Sequence, residues 1–266
     1  MKKILLILFL IMLQYGYSTA EKPPEIGIVE KLGNQVPLDL EFTNAEGEKK
    51  KLQDIIKKPT ILSLVYYNCP GICSPLLTNM SDVMDKVKLE PGKHFQALTI
   101  SFDHREGVDK AKRWKENYLA SMKRPFGAEN WEFMVGDSIS IRKLSDAVGF
   151  YFKPEGNDYV HPGALFILTP DGKVARYLLG IEYNPFDLQM SISEAAKGKS
   201  MPTVTKILQY CFSYDPEGKK YVFNVTKVAG TVIFLGAFVF FIVLVISGKS
   251  KKRSKRKNSE DINNEQ

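Results

Sequence analysis

Thr60-Ile61-Leu62-Ser63-Leu64-Val65-Tyr66-Tyr67-Asn68-Cys69-Pro70-Gly71-Ile72-Cys73 is an apolar run, introduced by Pro59, that ends in two cysteines with three residues between them. Its richness in β-formers reads as a central strand from Thr60 to Tyr67. Directly after the second cysteine, Leu76, Leu77, Met80, Val83, Met84 and Val87 fall at the spacings of one helical face. The cysteines therefore stand where a central strand passes into a helix, in the crevice beyond strand C-termini that α/β sheets use for ligands. Free N–H groups and the macrodipole at a helix start favour a thiolate, so a cysteine there should ionise more readily than a free thiol at about pKa 8.5.

Outward from this stretch, Val36 to Phe42 reads as a short strand and Ala45-Glu46-Gly47-Glu48 as a turn. Phe95 to Phe102 is a second strand. Val108, Ala111, Lys115, Tyr118 and Met122 mark a second helical face on which Lys115 would snorkel. Trp131 to Val135 is a further strand, and Ser138 is placed to N-cap a helix carrying Ile141, Leu144 and Val148. Gly163 to Thr169 and Lys173 to Leu179 are strands joined by Pro170-Asp171-Gly172, where proline fixes φ and glycine takes a positive φ. A last helix runs from Asn184 to Ala196. Strand-helix alternation that closes in a hairpin and a helix implies an α/β fold, a mixed sheet with helices on both faces. A thioredoxin-like sheet fits the order.

The 266 residues, 44% hydrophobic and 25% charged, exclude collagen, a disulfide-dense miniature scaffold and wholesale disorder. The net charge of +7 is local in origin: nine of 37 basic residues lie at positions 2, 3 and 249–257, and three of 30 acidic ones lie in the tail. The intervening chain is nearly neutral, so bulk charge supports no nucleic-acid surface. Lys2 and Lys3 precede an apolar run from Ile4 to Leu13, and Ser18-Thr19-Ala20 offers small residues for cleavage after Ala20, the pattern of a signal peptide over residues 1–20. Residues 228–247 hold no charge, enough for a transmembrane helix across roughly 30 Å of hydrocarbon. The basic tail, 248–266, would keep the C-terminus cytoplasmic. The expected organisation is completed by a leader at 21–35 with little structure, a domain at 36–200 and a juxtamembrane extension at 201–227. It places the domain on the periplasmic side of a bacterial cytoplasmic membrane.

For Cys69 and Cys73 the residues leave three chemistries open. A structural disulfide bond is one, though closing so short a loop removes little unfolded-state entropy. Redox-active dithiol-disulfide exchange and a soft two-sulfur metal site are the others; a nearby imidazole would let such a site hold Cu(II) as well as Cu(I). A four-ligand structural zinc site lacks the grouped residues it needs. Of the three histidines, His94 begins a strand, His104 follows Asp103 at a strand end near the same crevice, and His161 lies in a loop before the hairpin. Cys211, an odd thiol, reads as a small buried hydrophobe.

From about Val36 to Ala196 the chain resembles the Sco/SenC family, membrane-anchored copper chaperones of cytochrome c oxidase assembly. The resemblance rests on Tyr66-Tyr67-Asn68-Cys69-Pro70-Gly71-Ile72-Cys73, on Ser101-Phe102-Asp103, on His161 before a strand-turn-strand, and on Thr169-Pro170-Asp171-Gly172-Lys173. It implies a thioredoxin-like metallochaperone in which Cys69, Cys73 and His161 hold copper, as Cu(I), Cu(II) or both, and Asp103 supports them. The implied partners are the CuA subunit of the oxidase and other copper chaperones. The chain departs from the commoner pattern at Ser74, Val160 and His104, with all three implied ligands present and His104 standing as an alternative. A second implied activity is enzymatic: Cys69 and Cys73 would act as a catalytic redox pair that reduces the CuA cysteines. A copper or redox sensor signalling to the tail is a third reading.

Overall fold

A computed structural model of the chain describes residues 24–200 and, beyond them, 212–215, 220–223, 229–230, 233–234, 236–238 and 240–241. The chain divides into two compact units, Met1–Thr203 and Val204–Gln266.

In the first unit the strands are β1 (Gly27–Ile28), β2 (Glu41–Asn44), β3 (Lys49–Lys51), β4 (Thr60–Val65), β5 (Gln96–Ser101), β6 (Trp131–Val135), β7 (Phe150–Tyr151), β8 (Lys153–Glu155), β9 (Asp158–Val160), β10 (Ala164–Leu168) and β11 (Val174–Leu179). The helices are α1 (Leu52–Ile55), α2 (Cys73–Lys86), α3 (Val108–Ser121), α4 (Ser138–Val148) and α5 (Pro185–Ala195). A seven-stranded sheet has the order β11-β10-β4-β5-β6-β2-β3. The pairs β4–β5 and β5–β6 are parallel, and the rest are antiparallel. This is the expected mixed α/β sheet of thioredoxin-like type.

β4 is buried at all six positions, which is why its sequence shows no alternation. The buried Ser63 in mid-strand is satisfied by Thr99 Oγ1 on β5 at 2.8 Å, and Trp131 Nε1 on β6 donates to the same oxygen at 3.0 Å. Three adjacent strands are thereby tied through one buried hydroxyl pair. The helices α2, α3 and α5 form a contiguous layer, α2 touching both of the others, while α3 packs on β6 and α5 on β10 and β11.

Several boundaries differ from the sequence expectation for local reasons. The first long strand occupies Glu41–Asn44 rather than Val36 to Phe42, because Pro37 has no N–H and the Val36 N–H is taken by Gly172 O at 2.9 Å. Ser138 is the first helical residue of α4. The cap is Asp137, whose carboxylate accepts from the N–H groups of Ile139 and Ser140. The stretch before residue 36 is built into the domain: β1 pairs with β7, the Lys31 N–H donates to Tyr177 Oη at 2.7 Å, and the Gly33 N–H to Val174 O at 2.8 Å. Gly149, at φ 68°, permits this docking, since a Cβ there would stand 1.9 Å from Val29 O.

Lys115 does not snorkel. It is 6% exposed, with Nζ 3.0 Å from Glu132 Oε2 on β6 and 2.9 Å from Glu46 Oε1. Burial of Glu132 behind α3 requires a cation there, and the lysine stem is long enough to supply it.

The C-terminal transmembrane helix is overturned. Among the described residues no helix is long and apolar enough to cross a membrane. The helical residues described there are 229–230, 233–234, 236–238 and 240–241, and the rest of 228–247 lies outside the described residues. Freedom from charge makes a segment compatible with hydrocarbon, but a span also needs about 20 residues of continuous helix. With it goes the localisation that rested on it, a periplasm-facing domain held to a bacterial cytoplasmic membrane by a single C-terminal helix. The second unit does contain an antiparallel hairpin of β12 (Phe212–Asp215) and β13 (Lys220–Phe223). The expected signal peptide at 1–20 and Cys211 lie outside the described residues.

The Lys115 contacts give a stability prediction. Lys115→Ala strands the Glu132 carboxylate with Lys50, 3.4 Å away, as its remaining cation, and should cost roughly 3 kcal/mol in urea unfolding. A loss under about 0.5 kcal/mol, the size of an ordinary surface substitution, would contradict the assigned role.

Candidate metal centre

The sheet brings the expected ligands to one end. β10 runs antiparallel to β4, with Leu165 opposite Ser63, so the chain entering β10 arrives where the chain leaving β4 departs. Cys69 lies on the departing chain, in a turn closed by its own N–H to Tyr66 O at 3.2 Å. Cys73 is the first residue of α2 and is wholly buried. His161 follows the β8–β9 hairpin and precedes β10. One ligand atom from each, the two Sγ atoms and an imidazole nitrogen, lies within 4.8 Å of the others, and Cys73 Sγ is 3.6 Å from His161 Nε2.

The imidazole is held by ring packing and one polar contact. Tyr66 and Phe102 meet it edge-on at centroid distances of 5.7 and 5.0 Å, with Phe150 at 6.2 Å. Its Nδ1 is 3.0 Å from Pro162 O, and a carbonyl only accepts, so the proton sits on Nδ1. In the neutral imidazole that leaves the Nε2 lone pair on the side of the sulfurs, where it can ligate a cation. Bonds of about 2.0–2.3 Å to nitrogen and sulfur in a trigonal or tetrahedral shell separate ligand atoms by about 3.5–4 Å, which this group matches with small adjustments. Two soft sulfurs and an imidazole suit copper in either of its common states.

The two thiols are unlike. A hydrogen bond from Cys73 draws the half-exposed Cys69 down from its ordinary 9.0 to about 3, overcoming burial, with help from the His161 side chain and then from the backbone N–H groups of Cys73 and Gly71. The Gly71 N–H is 3.4 Å from Cys69 Sγ. Burial pushes Cys73 far up, and the hydrogen bond to Cys69 adds to the rise. Burial first, then its bond to Cys69, raises Tyr66, so that hydroxyl stays protonated beside the sulfur. The ionisation expected at the strand-to-helix junction is found at Cys69, whereas at Cys73, which holds the helix start itself, desolvation outweighs the dipole.

His104 is exposed and outside the ligand group. His94 accepts the Glu90 N–H on Nδ1 at 3.0 Å in the turn before β5. Asp103 is buried, and burial would raise its carboxyl, but the hydrogen bonds and charge of Arg105 hold it below the usual range. Arg105 Nε and Nη2 reach the two carboxylate oxygens of Asp103, each at 2.8 Å, and Tyr159 Oη donates to Oδ1 at 3.2 Å. Sequence reasoning assigned no role to Arg105, Tyr159 or Glu106. Glu106 accepts the N–H groups of Tyr67 at 2.6 Å and Asn68 at 2.8 Å, immediately before Cys69. The only sequence signal was a charged run directly after a strand, which ordinarily marks a solvated turn.

A thioredoxin-like domain that presents a thiolate, a buried thiol and an imidazole at one sheet end defines a class: a dithiol domain with a soft three-ligand site that can hold a metal ion. Within that class the chain belongs to the SCO1/SenC family, whose model matches residues 30–197. It is 31% identical over 150 residues to the SCO1 protein homolog of Bacillus subtilis (strain 168), covering 55% of this chain and 75% of that protein. The fold is similar to a candidate electron transfer protein of Aquifex aeolicus VF5 (TM-score 0.58, 28% identity, 64% of this chain and 96% of that one). It is also similar to Arabidopsis thaliana ScoI, solved with copper bound (TM-score 0.50, 16% identity, 60% and 96%), a likeness of fold alone.

The thiol asymmetry predicts a pH profile. Alkylation of Cys69 by iodoacetamide in the reduced protein should be nearly level above about pH 4, where a free thiol gains about tenfold per pH unit up to pKa 8.5, while Cys73 stays unmodified. Peptide mass spectrometry reads both sites. Because folding lowers the Cys69 pKa, its contribution to stability is complete above 9.0 and is lost as pH falls toward about 3. Ordinary thiol behaviour at both cysteines would refute the assignment.

Proposed function

We propose that the protein binds a single copper ion through Cys69, Cys73 and His161 and delivers it to the CuA site of a cytochrome c oxidase. The mutual approach of the three ligand atoms, within 4.8 Å, carries this reading. It is supported by the soft donor set, by membership of the SCO1/SenC family, and by the copper held in Arabidopsis thaliana ScoI. Copper is cargo here. The half-exposed Cys69 gives an acceptor thiolate a place to begin ligand exchange, and the buried Cys73 releases last.

A second reading uses the same pair. The Cys69 thiolate attacks an acceptor disulfide, the acceptor's leaving sulfur departs as thiolate, and Cys73, losing its proton, resolves the mixed disulfide. The products are a Cys69–Cys73 disulfide and two acceptor thiols. The observation that favours it is the pairing of a depressed, accessible thiol with a protected one. It needs no metal ligand from His161, whose side chain contributes only by helping to hold Cys69 ionised.

Anaerobic copper titration of the reduced protein and of His161→Ala separates the two. Delivery predicts one tight equivalent with sulfur-to-copper charge transfer in the Cu(II) form, lost or shifted in the variant. Absence of tight copper in both forms, with dithiol exchange intact, would abandon delivery for the second reading.

A further inference from the structure

The turn at residues 103–106 touches both arms of the site while supplying no ligand. On one arm, the Glu106 side chain is 0% exposed and both of its oxygens are committed. Oε2 accepts from the Tyr67 N–H at 2.6 Å and from Ser101 Oγ at 2.7 Å; Oε1 accepts from the Asn68 N–H at 2.8 Å, with Lys110 Nζ at 3.5 Å. Tyr67 and Asn68 lie just beyond the end of β4, where sheet pairing has stopped, and they lead directly into Cys69. A carboxylate is the side chain that can accept two successive N–H groups in a fork without donating.

On the other arm, Arg105 is already ordered by its two-point contact with Asp103, and its Nη2 donates onward to Asn157 O at 3.1 Å. Its guanidinium stands 5.1 Å from the centre of the Tyr159 ring. Asn157 is at the tip of the β8–β9 hairpin and Tyr159 on its return strand, two residues before His161. Tyr159 in turn meets Tyr66 and Phe102, the rings that hold the imidazole, each at 5.4 Å.

We propose that this turn is a two-sided brace: Glu106 is the positioning residue for the cysteine-bearing loop and Arg105 for the hairpin that delivers His161. The separation between sulfur and imidazole is then set by a single four-residue turn rather than by the two loops that carry the ligands. The proposal rests on the copper reading for one of its readouts only; the others need no metal.

The test compares the full chain with Glu106→Gln, Glu106→Ala and Arg105→Ala. Glu132→Gln serves as a control, a buried carboxylate whose bonds go to Lys115 and Lys50 and to neither arm. Without copper, the Glu106 variants should speed amide hydrogen exchange at Tyr67 and Asn68 by about tenfold or more, with glutamine, which keeps an acceptor, milder than alanine. They should also change the rate of Cys69 alkylation. Arg105→Ala should leave that rate within about twofold while broadening or shifting the His161 imidazole resonances. With copper, Glu106→Ala should lower Cu(I) affinity by about tenfold or more, and Arg105→Ala should alter the Cu(II) spectrum by a comparable loss of affinity.

Unchanged exchange and alkylation in both Glu106 variants would overturn the proposal, as would Glu132→Gln reproducing their effects or Arg105→Ala disturbing the cysteines as much as the histidine. If Glu106→Ala does not fold, the isosteric Gln variant decides. If the wild type takes no copper, the copper reading falls and the brace is judged on exchange, alkylation and the imidazole resonances.

Discussion

β4 is paired along both edges and covered on both faces, and a strand so placed has to carry its chain out of a dry core without leaving peptide groups unsatisfied. The Phe102 N–H goes to Val65 O at 2.8 Å, the last backbone bond at the end of β4, and beyond it Glu106 takes over. The site follows from that exit. The chain surfaces at Cys69, turns through Pro70 and Gly71, and goes back under at Cys73 to start α2. One cysteine is half-exposed and the other sealed by the same short excursion.

This asymmetry is the chemical content of the site. A thiolate that persists to low pH, beside a thiol that burial keeps protonated, can seize a soft cation or attack a disulfide, and the bare thiol pair does not choose between them. The imidazole adds the bias. With its Nδ1 turned to Pro162 O, His161 brings to the sulfurs a ring nitrogen that can ligate a cation, a donor atom that dithiol exchange does not require. Its packing against Tyr66, Phe102 and Phe150 holds that orientation.

Much of the fold was legible because local rules and tertiary needs agreed. Trp131 to Val135 was read to the residue, the strand expected over Thr60 to Tyr67 from its β-formers is present and ends two residues earlier at Val65, the helix after Cys73 was found from apolar spacing, and the Pro170-Asp171-Gly172 turn from its φ requirements. Errors arose where a residue's partner was distant in sequence. Val36 was assigned to a strand although its N–H is spent on Gly172. Lys115 looked like a surface cation because nothing near it in sequence announces Glu132. The uncharged segment at 228–247 satisfied the compositional condition for a span, yet no helix described there is long enough to make one.

The sequence by itself determined the order of strands and helices and the location of both cysteines at a strand-to-helix junction, because side-chain periodicity and backbone preference act over a few residues. It also carried the family resemblance that singled out His161. Tertiary structure alone decided that His161 rather than His104 faces the sulfurs, that Cys69 rather than Cys73 carries the charge, and that Glu106 and Arg105 stand behind them. Those outcomes depend on desolvation and on hydrogen bonds between residues 38 to 88 positions apart, and such terms acquire a value only once the sheet has closed.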